Sequence, residues 1–285
     1  MSVGAVAPIG GGGGVDGPLL AAGAPFDQGL AQGLRFRAQI ERVVLERRAR
    51  AGGLGWIDAR RAASRGAARK MLCHVLQQHE RLQGIADGAR VGLAALEAFE
   101  MTSRVCGVGS LGIDGTLEAR LDVHPDLGPE LFLRESRPDA VGFASVELAH
   151  ALWTGCLAGI NARGVAVVVV DDAGTSEISL RTLAQDLLLR ADGRETGLAH
   201  LALRARYAGG TGVLLVGDET GASQVRIRAG QAEVDRLPAR MAGSAVLQST
   251  VELRFAEREL SWLRPDGVRQ SARLGESPPG GAAPA

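Results

Sequence analysis

Cys106 is the residue whose position in the chain best suits covalent chemistry. It stands where a helical pattern gives way to a stretch rich in strand formers. If the bond between Val105 and Cys106 were cut, the thiol and the freed α-amine would share one residue, so the nucleophile would carry its own base. A free thiol titrates near about 8.5 and an α-amine near about 7.7–8.0, so that amine could accept the thiol proton at neutral pH.

Two other interpretations of Cys106 stay open. It could be a structural thiol, because free cysteines are often buried. It could also form a Cys–His dyad through folding, and His124 is the nearest histidine downstream. Of the remaining cysteines, Cys156 is expected to pack in an apolar context, and Cys73 to lie unreactive on a helix face. The three cysteines have no metal-ligand spacing, so we expect neither a disulfide scaffold nor a metal site.

Hydrophobic periodicity predicts the elements that position Cys106. Residues 27–100 have helical spacing, with a helix over about 59–82 and a break at the glycines of 84–88. After Cys106 the pattern changes to short strands, and Asp114-Gly115 is typical of a hairpin turn. The predicted helices are 180–191 and 195–207, and the predicted strands are 108–113, 116–123, 131–135, 141–146, 164–171, 212–218, 224–229 and 233–237, with a further candidate at 245–248.

This element order predicts an α/β (α+β) fold, a four-layer αββα sandwich. We expect a flexible, glycine-rich leader over residues 1–24, because such a segment cannot bury enough apolar surface to offset its ordering entropy. A helical segment over 25–105 then precedes the αββα domain over 106–275, and a flexible tail follows over 276–285.

Composition excludes several classes of partner. The 285 residues carry 32 basic and 32 acidic side chains, so the net charge is zero and favours neither nucleic acid nor an anionic membrane. No window approaches the roughly 18 apolar residues of a membrane span. The start of the chain has no cationic segment followed by an apolar core, so we expect no signal peptide and a cytoplasmic location.

Four stretches together resemble the acyl-coenzyme A:6-aminopenicillanic acid acyltransferase-like (isopenicillin N acyltransferase-like) group of N-terminal-nucleophile (Ntn) hydrolases. Each stretch alone is unspecific, and the resemblance depends on their order and spacing over most of the chain. They are Pro25–Gly33, His79–Ala89, Cys106 with Asp114-Gly115 and Ala119–Asp122, and Gly159–Val167.

The resemblance implies a precursor that cuts itself before Cys106, leaving a self-processed two-chain heterodimer. It implies amide hydrolysis or acyl transfer through a thioester on Cys106, with a small-molecule amide or acyl thioester as substrate, water or an amine as acceptor, and no cofactor. By position, Asp122 matches the family's aspartate near the new amine. Asn161 matches an asparagine that helps to bind the reacting carbonyl.

Arg120 lies two residues before Asp122 and therefore on the same strand face. It could pair with Asp122, clamp a substrate carboxylate bidentately, or form an ordinary surface salt bridge.

The chain also departs from the family pattern. Val105 and Gly107 replace residues common around the cut, and Arg120 stands where an asparagine is frequent. The late segment that supplies an oxyanion asparagine reads Ala245–Thr250 here, where Gln248 could act as the amide donor. Loss of one such donor costs about 100- to 1000-fold in rate. Two alternatives therefore stay open: a degenerate, non-catalytic binding subunit, and a cysteine peptidase that uses a histidine without self-cleavage.

Overall fold

The computed structural model describes residues 17–50, 69–100, 105–111, 116–123, 131–139, 142–172, 178–207, 211–228, 230–236, 249–264 and 266–275. These residues form a mixed α/β structure. In these ranges no helix has both the length and the apolar content to cross a membrane.

Helices occur in two groups, one before and one after the central strands. The first group is α1 (Pro25–Arg35), α2 (Arg37–Arg50), α3 (Leu76–Ala89) and α4 (Leu93–Glu100), and the second is α5 (Leu180–Arg190) and α6 (Arg194–Ala205). Residues 69–74 are also helical. The strands are β1 (Leu19–Gly23), β2 (Val105–Leu111), β3 (Thr116–Val123), β4 (Leu131–Pro138), β5 (Ser145–His150), β6 (Cys156–Asn161), β7 (Ala166–Asp172), β8 (Gly212–Asp218), β9 (Gly221–Arg228), β10 (Gln231–Arg236), β11 (Ser249–Arg254), β12 (Glu259–Leu263) and β13 (Arg269–Arg273).

The strands form one connected hydrogen-bonded network, which we describe as two sheets joined where β2 pairs with the end of β7. The larger sheet has the order β1-β4-β5-β6-β7-β8-β9-β10, and the smaller has the order β2-β3-β11-β12-β13. Most neighbours are antiparallel, but β1 runs parallel to β4. The first two residues of β2 pair with the last two of β7, so β2 leaves the larger sheet at the end of β7 and continues in the smaller one.

Two apolar cores separate three layers. One core lies between the sheets and includes Leu121, Val168 and Leu260. The other lies between the larger sheet and α5 and α6, and includes Val167 and Leu187. Within the described part of the chain the outer face of the smaller sheet carries exposed ion pairs such as Arg254–Glu252, and no helix covers it. The predicted second helical layer is therefore not seen in these residues.

Several predicted elements are confirmed, and several predictions differ from the structure. The strand 116–123 and the two late helices form where expected. The expected leader contributes β1, because Leu19 and Ala21 are buried against the core while Leu20 and Ala22 are exposed. The strand predicted over 141–146 forms later, at Ser145–His150.

A further difference is that α3 does not break at its glycines. Gly84 and Gly88 face Gly29 and Gly33 of α1 at backbone contact, and a Cβ on Gly84 would clash with the carbonyl of Phe26. Glycine is intrinsically unfavourable within a helix. Here its small size allows the two helices to approach each other closely, and this packing offsets the low propensity.

Candidate functional site

Cys106 occupies the second position of β2, where the two sheets meet. Its Cα lies in register with Asp122 on β3 and with Asp171 on β7. Directly opposed residues of antiparallel strands have Cα atoms about 4.5–5.5 Å apart and share a face. The backbone therefore places one cysteine between two aspartates in a single row. We call Asp122, Cys106 and Asp171 the cysteine row.

Strand alternation gives the face on which this row lies. Leu121 of β3 is fully buried in the core between the sheets, and Arg120 is exposed on the opposite face. Asp122 and its partner Cys106 are in phase with Arg120. Cys106 and Asp122 are described through their backbones. The Arg120 guanidinium lies 3.7 Å from Glu118, and about half of each side chain is exposed.

The structure does not bring Asn161 to Cys106. Asn161 ends β6 beside the start of β7, whereas Cys106 pairs with the end of β7. Because β7 has 7 residues, the two positions lie about 20 Å apart along the strand direction. An amide in this place cannot reach a carbonyl held at Cys106, so Asn161 does not fit the role that the resemblance gives it.

The polar atoms of Asn161 hold the β6–β7 turn against α5. Its Nδ2 donates to the carbonyls of Leu188 at 2.9 Å and Ala191 at 2.8 Å. Its Oδ1 accepts from the backbone N–H groups of Arg163 at 2.9 Å and Val165 at 3.0 Å. Both amide protons are used, and the side chain is fully buried. Gln248, the other expected amide donor, and His124 lie outside the described residues.

A second polar region lies between the larger sheet and the helices. The Arg134 guanidinium on β4 makes a fully buried ion pair with Glu147 on β5 at 2.6 Å. Arg134 also donates to Gln32 Oε1 of α1 at 2.7 Å and to Gln185 Oε1 of α5 at 3.1 Å. Glu147 accepts from Gln185 Nε2 at 2.7 Å and from Ser145 Oγ. We call these buried groups, together with Arg81, the arginine cluster.

Arg81 of α3 extends this cluster towards the surface. Its Nη2 donates to Ser136 Oγ at 2.9 Å and to Gln28 Oε1. Burial first, and the neighbouring Arg134 second, lower the pKa of Arg81 to about 9, although Glu147 acts in the opposite direction. The charged form of Arg81 is therefore poorly compensated.

A cavity of about 100 Å³ opens beside Arg81. Its polar lining includes Gln28, Gln78, Arg81 and Asp139. Ser136, which bonds Arg81, is in register with Ser145 and through it with Asn161. The cavity therefore lies at the Asn161 end of the larger sheet, a strand length from Cys106.

Cys156 lies among the arginine cluster and is fully buried, as its apolar sequence context predicts. Burial, followed by the carboxylate of Glu147, raises the pKa of its thiol well above the usual value. Such a thiol is a poor nucleophile. Cys73 is exposed.

The sequence alone indicates neither the neighbour of Cys106 on β7 nor most of the second polar region. Asp171 reads as the end of a buried strand, and only the strand register shows that it faces Cys106. Arg134 and Glu147 have one sequence signal, because they are charged residues within strongly apolar segments. Buried charges are rarely tolerated without partners. Nothing in the spacing of the chain indicates that Gln78 and Arg81 line a common cavity.

Comparisons with known proteins add no assignment, since no family model and no curated protein matches the chain.

Proposed function

We propose that the protein is a cysteine Ntn-type amidohydrolase or acyltransferase that forms a thioester on Cys106. The observation that carries the proposal is the cysteine row, in which Cys106 pairs with Asp122 on one side and Asp171 on the other. A cysteine at the start of a strand and in register with two aspartates suits a residue whose own backbone nitrogen becomes an ammonium group.

The first proposed step is a cut before Cys106. The Cys106 sulfur attacks the carbonyl carbon of Val105, the thiol proton passes to the peptide nitrogen, and the C–N bond breaks to leave a thioester and the new α-amine. Water then hydrolyses the thioester and releases the Val105 carboxylate. The cut bond is the first peptide of β2, so the pairing of β2 from Cys106 onward does not depend on it.

The second step uses the free α-amine. The amine accepts the thiol proton, and the thiolate attacks the acyl carbonyl of the substrate. The leaving amine takes a proton from the ammonium as the C–N bond breaks. Water or an amine acceptor then attacks the thioester and restores the thiol. The carboxylates of Asp122 and Asp171 favour the ammonium form by charge, and Asp122 orients it.

The helical segment would remain bound after such a cut. Gln32 of α1 donates to the carbonyls of Ala151 and Trp153, both at 3.0 Å. Glu100, at the end of α4, accepts from the Thr154 N–H at 2.6 Å, and its carbonyl accepts from Arg181 at 2.6 Å. These contacts support a two-chain product that stays assembled.

A second candidate function is a non-catalytic binding subunit of the same ancestry. The placement of Asn161 favours it, because the amide expected to bind the reacting carbonyl is fully engaged a strand length away. An enzyme without that donor would be about 100- to 1000-fold slower.

The test combines intact-mass measurement with covalent labelling. Purified protein should contain pieces that correspond to residues 1–105 and 106–285 and that elute together. A panel of acyl amides and acyl thioesters should leave an acyl adduct on Cys106. The Cys106→Ala variant should remain uncut and unlabelled.

Cys73→Ala is the matched control, because Cys73 is an exposed thiol on a helix far from the row in sequence. It should cut and label as the wild type does. An intact wild-type chain whose Cys106 resists every acyl donor supports the binding subunit. Processing or acylation that persists in Cys106→Ala overturns the assignment of the nucleophile.

A further inference from the structure

The carboxylate of Glu100, at the end of α4, joins three elements. Its Oε1 accepts from the backbone N–H of Thr154 at 2.6 Å and from the Thr154 hydroxyl at 3.0 Å. Its Oε2 accepts from the hydroxyls of Ser179 at 3.3 Å and Thr182 at 3.5 Å, and lies 3.9 Å from the Arg181 guanidinium. Only 4 % of Glu100 is exposed. Glu100 therefore ties α4 to the β5–β6 connection and to the start of α5.

The start of α5 lies against the end of β7. A Cβ on Gly212, the first residue of β8, would clash with the Leu180 side chain and with the Asp171 carbonyl. Leu180 is the first residue of α5. Asp171 is in register with Cys106. The first residues of α5 therefore lie at the end of β7 where the cysteine row crosses it.

The β5–β6 connection lies at the same end of β7. A Cβ on Gly155 would clash with the backbone of Arg181 in the first turn of α5. Strand β6 runs antiparallel to β7, so its first residue lies beside the last residues of β7. Both elements that Glu100 contacts are therefore at the end of the sheet that carries Cys106.

The chain between Glu100 and Cys106 is short and is held at both of its ends. Val105 pairs through its backbone with Val123 on β3 and Asp172 on β7. It is the first residue of β2, and terminal residues of an element open more readily than interior ones. The five residue steps from Glu100 to Val105 span at most about 18 Å. Among the described residues, the Glu100 contacts are the nearest side-chain attachment upstream of the Val105–Cys106 bond.

We propose that Glu100 is a positioning residue for the cut before Cys106, an inference that rests on the proposed function. Attack needs the Cys106 sulfur about 3–3.5 Å from the Val105 carbonyl carbon, and a misplacement of about 1 Å costs roughly 100-fold in rate. The Glu100 contacts limit the motion of the chain that carries this carbonyl. They do not act on a small acyl donor that reaches Cys106 after the cut. Glu100 therefore affects the rate of cutting and leaves thioester formation on added donors unchanged.

The experiment follows the full chain during cell-free synthesis, with the uncut and cut forms measured by intact mass over time. Glu100→Ala should slow cutting about 10- to 100-fold. Glu100→Gln should cut at an intermediate rate, because its Oε1 still accepts from the Thr154 N–H while the charge beside Arg181 is lost. If Glu100→Ala does not fold, the difference in rate between Glu100→Gln and the wild type decides the test.

Two control variants separate positioning from stability. Glu97→Ala removes another buried carboxylate, one turn earlier on α4, and should cut at the wild-type rate. Gly84→Ala disturbs the contact of α1 with α3, which includes no partner of Glu100, and should also cut at the wild-type rate. Glu100→Ala chains that have been cut should acylate Cys106 as fast as the wild type, whereas a general loss of folded protein would lower both rates.

The possible results distinguish this inference from the proposed function. A wild-type chain that stays uncut removes the proposed function and this inference with it. If the wild type is cut and the Glu100 variants are cut equally fast, this inference alone is overturned. It is also overturned if Gly84→Ala slows cutting as much as Glu100→Ala, or if acylation falls as far as cutting, because Glu100 would then support only the fold.

Discussion

Charged residues near the two ends of β7 lie in different environments. At its last residues, two aspartates flank Cys106 through strand register alone, in phase with an exposed arginine. At its first residues, carboxylate, guanidinium and amide groups are closed under helices and bonded to one another. At the last residues of β7, acidic residues lie in register with the candidate nucleophile. The charges near its first residues join strands to helices.

The comparison shows that a buried charge is weak evidence for chemistry. Arg134 and Glu147 are fully buried, whereas Arg120 and Arg254 on the outer face of the smaller sheet are exposed, yet Arg134 and Glu147 are each bonded to partners that hold strands to helices. Changes at the arginine cluster should therefore alter stability, and changes at the cysteine row should alter activity.

The largest expected effect is the loss of stability in Glu147→Gln. This change leaves Arg134 buried without its carboxylate, so we expect a cost of about 3–5 kcal/mol in the free energy of unfolding. Urea unfolding followed by circular dichroism measures it. Glu233→Gln, which removes an exposed carboxylate 4.0 Å from Arg226, should cost less than about 1 kcal/mol. Equal costs for the two variants would show that the buried ion pair is no more important for stability than an exposed one.

Acid should weaken the same end of the molecule. Burial alone would raise the pKa of Glu147, but Arg134, Arg81 and hydrogen bonds from Ser145 and Gln185 lower it below its ordinary value of 4.5. A lowered folded-state pKa gives stability that is present above the unfolded-state pKa and is lost as the pH falls through the folded-state value. Unfolding measured from pH 6 to pH 3 should therefore show a steeper loss in the wild type than in Glu147→Gln. Parallel curves would contradict this.

At the other end, Asp122→Asn should lower activity more than stability. If the carboxylate orients the freed ammonium of Cys106, its removal should reduce the rate of acyl transfer about 100-fold. Rates of thioester formation on the acyl panel provide the measurement. Asp235→Asn, an exposed aspartate of β10, is the control and should leave the rate unchanged. If Asp122→Asn forms the thioester at the wild-type rate, Asp122 has no part in the reaction.

The contact of α1 with α3 should be sensitive to a single methyl group. Gly84→Ala places a Cβ against the backbone carbonyl of Phe26, so the helices must move apart, at a cost of about 1–3 kcal/mol. Gly92→Ala has open space and should be neutral or slightly stabilising. Melting temperatures of the two variants distinguish the sites, and equal values would mean that the helices can separate freely.

The smallest expected effect is in Arg120→Ala. Its ion pair with Glu118 is exposed, so the change in stability should stay within about 0.5 kcal/mol, as in Arg254→Ala on the same sheet face. If Arg120 holds a substrate carboxylate, only Arg120→Ala should raise KM while leaving kcat unchanged. An unchanged KM would leave Arg120 as a surface residue.

Hydrophobic alternation and capping residues predicted the elements that depend on residues close together in the sequence. Strand 116–123 has strict alternation and α5 has a serine cap, and both form as expected. The glycines of α3 show where this approach fails, because low helix propensity at Gly84 and Gly88 is outweighed by contact with a helix distant in sequence. Likewise, β1 pairs in parallel with β4, a strand distant in sequence, which the local pattern does not indicate.

In the candidate site, too, the sequence predicted the features set by neighbouring residues and not those set by distant contacts. The helix-to-strand change singles out Cys106, and a hairpin with one turn sets Asp122 opposite it. Asp171 required the β2–β7 pairing, which joins segments far apart in sequence. The position of Asn161 depends on the direction of β7, and alternation of residues along a strand does not define that direction.

The parallel pair of β1 with β4 has a consequence for assembly if the chain is cut before Cys106. In the uncut protein both partners belong to one molecule, so docking depends on an effective concentration set by the connection between them. After the cut the same pairing becomes a contact between two polypeptides. The thermal midpoint would then rise with protein concentration, and dilution would release the 1–105 piece with no further covalent bond broken.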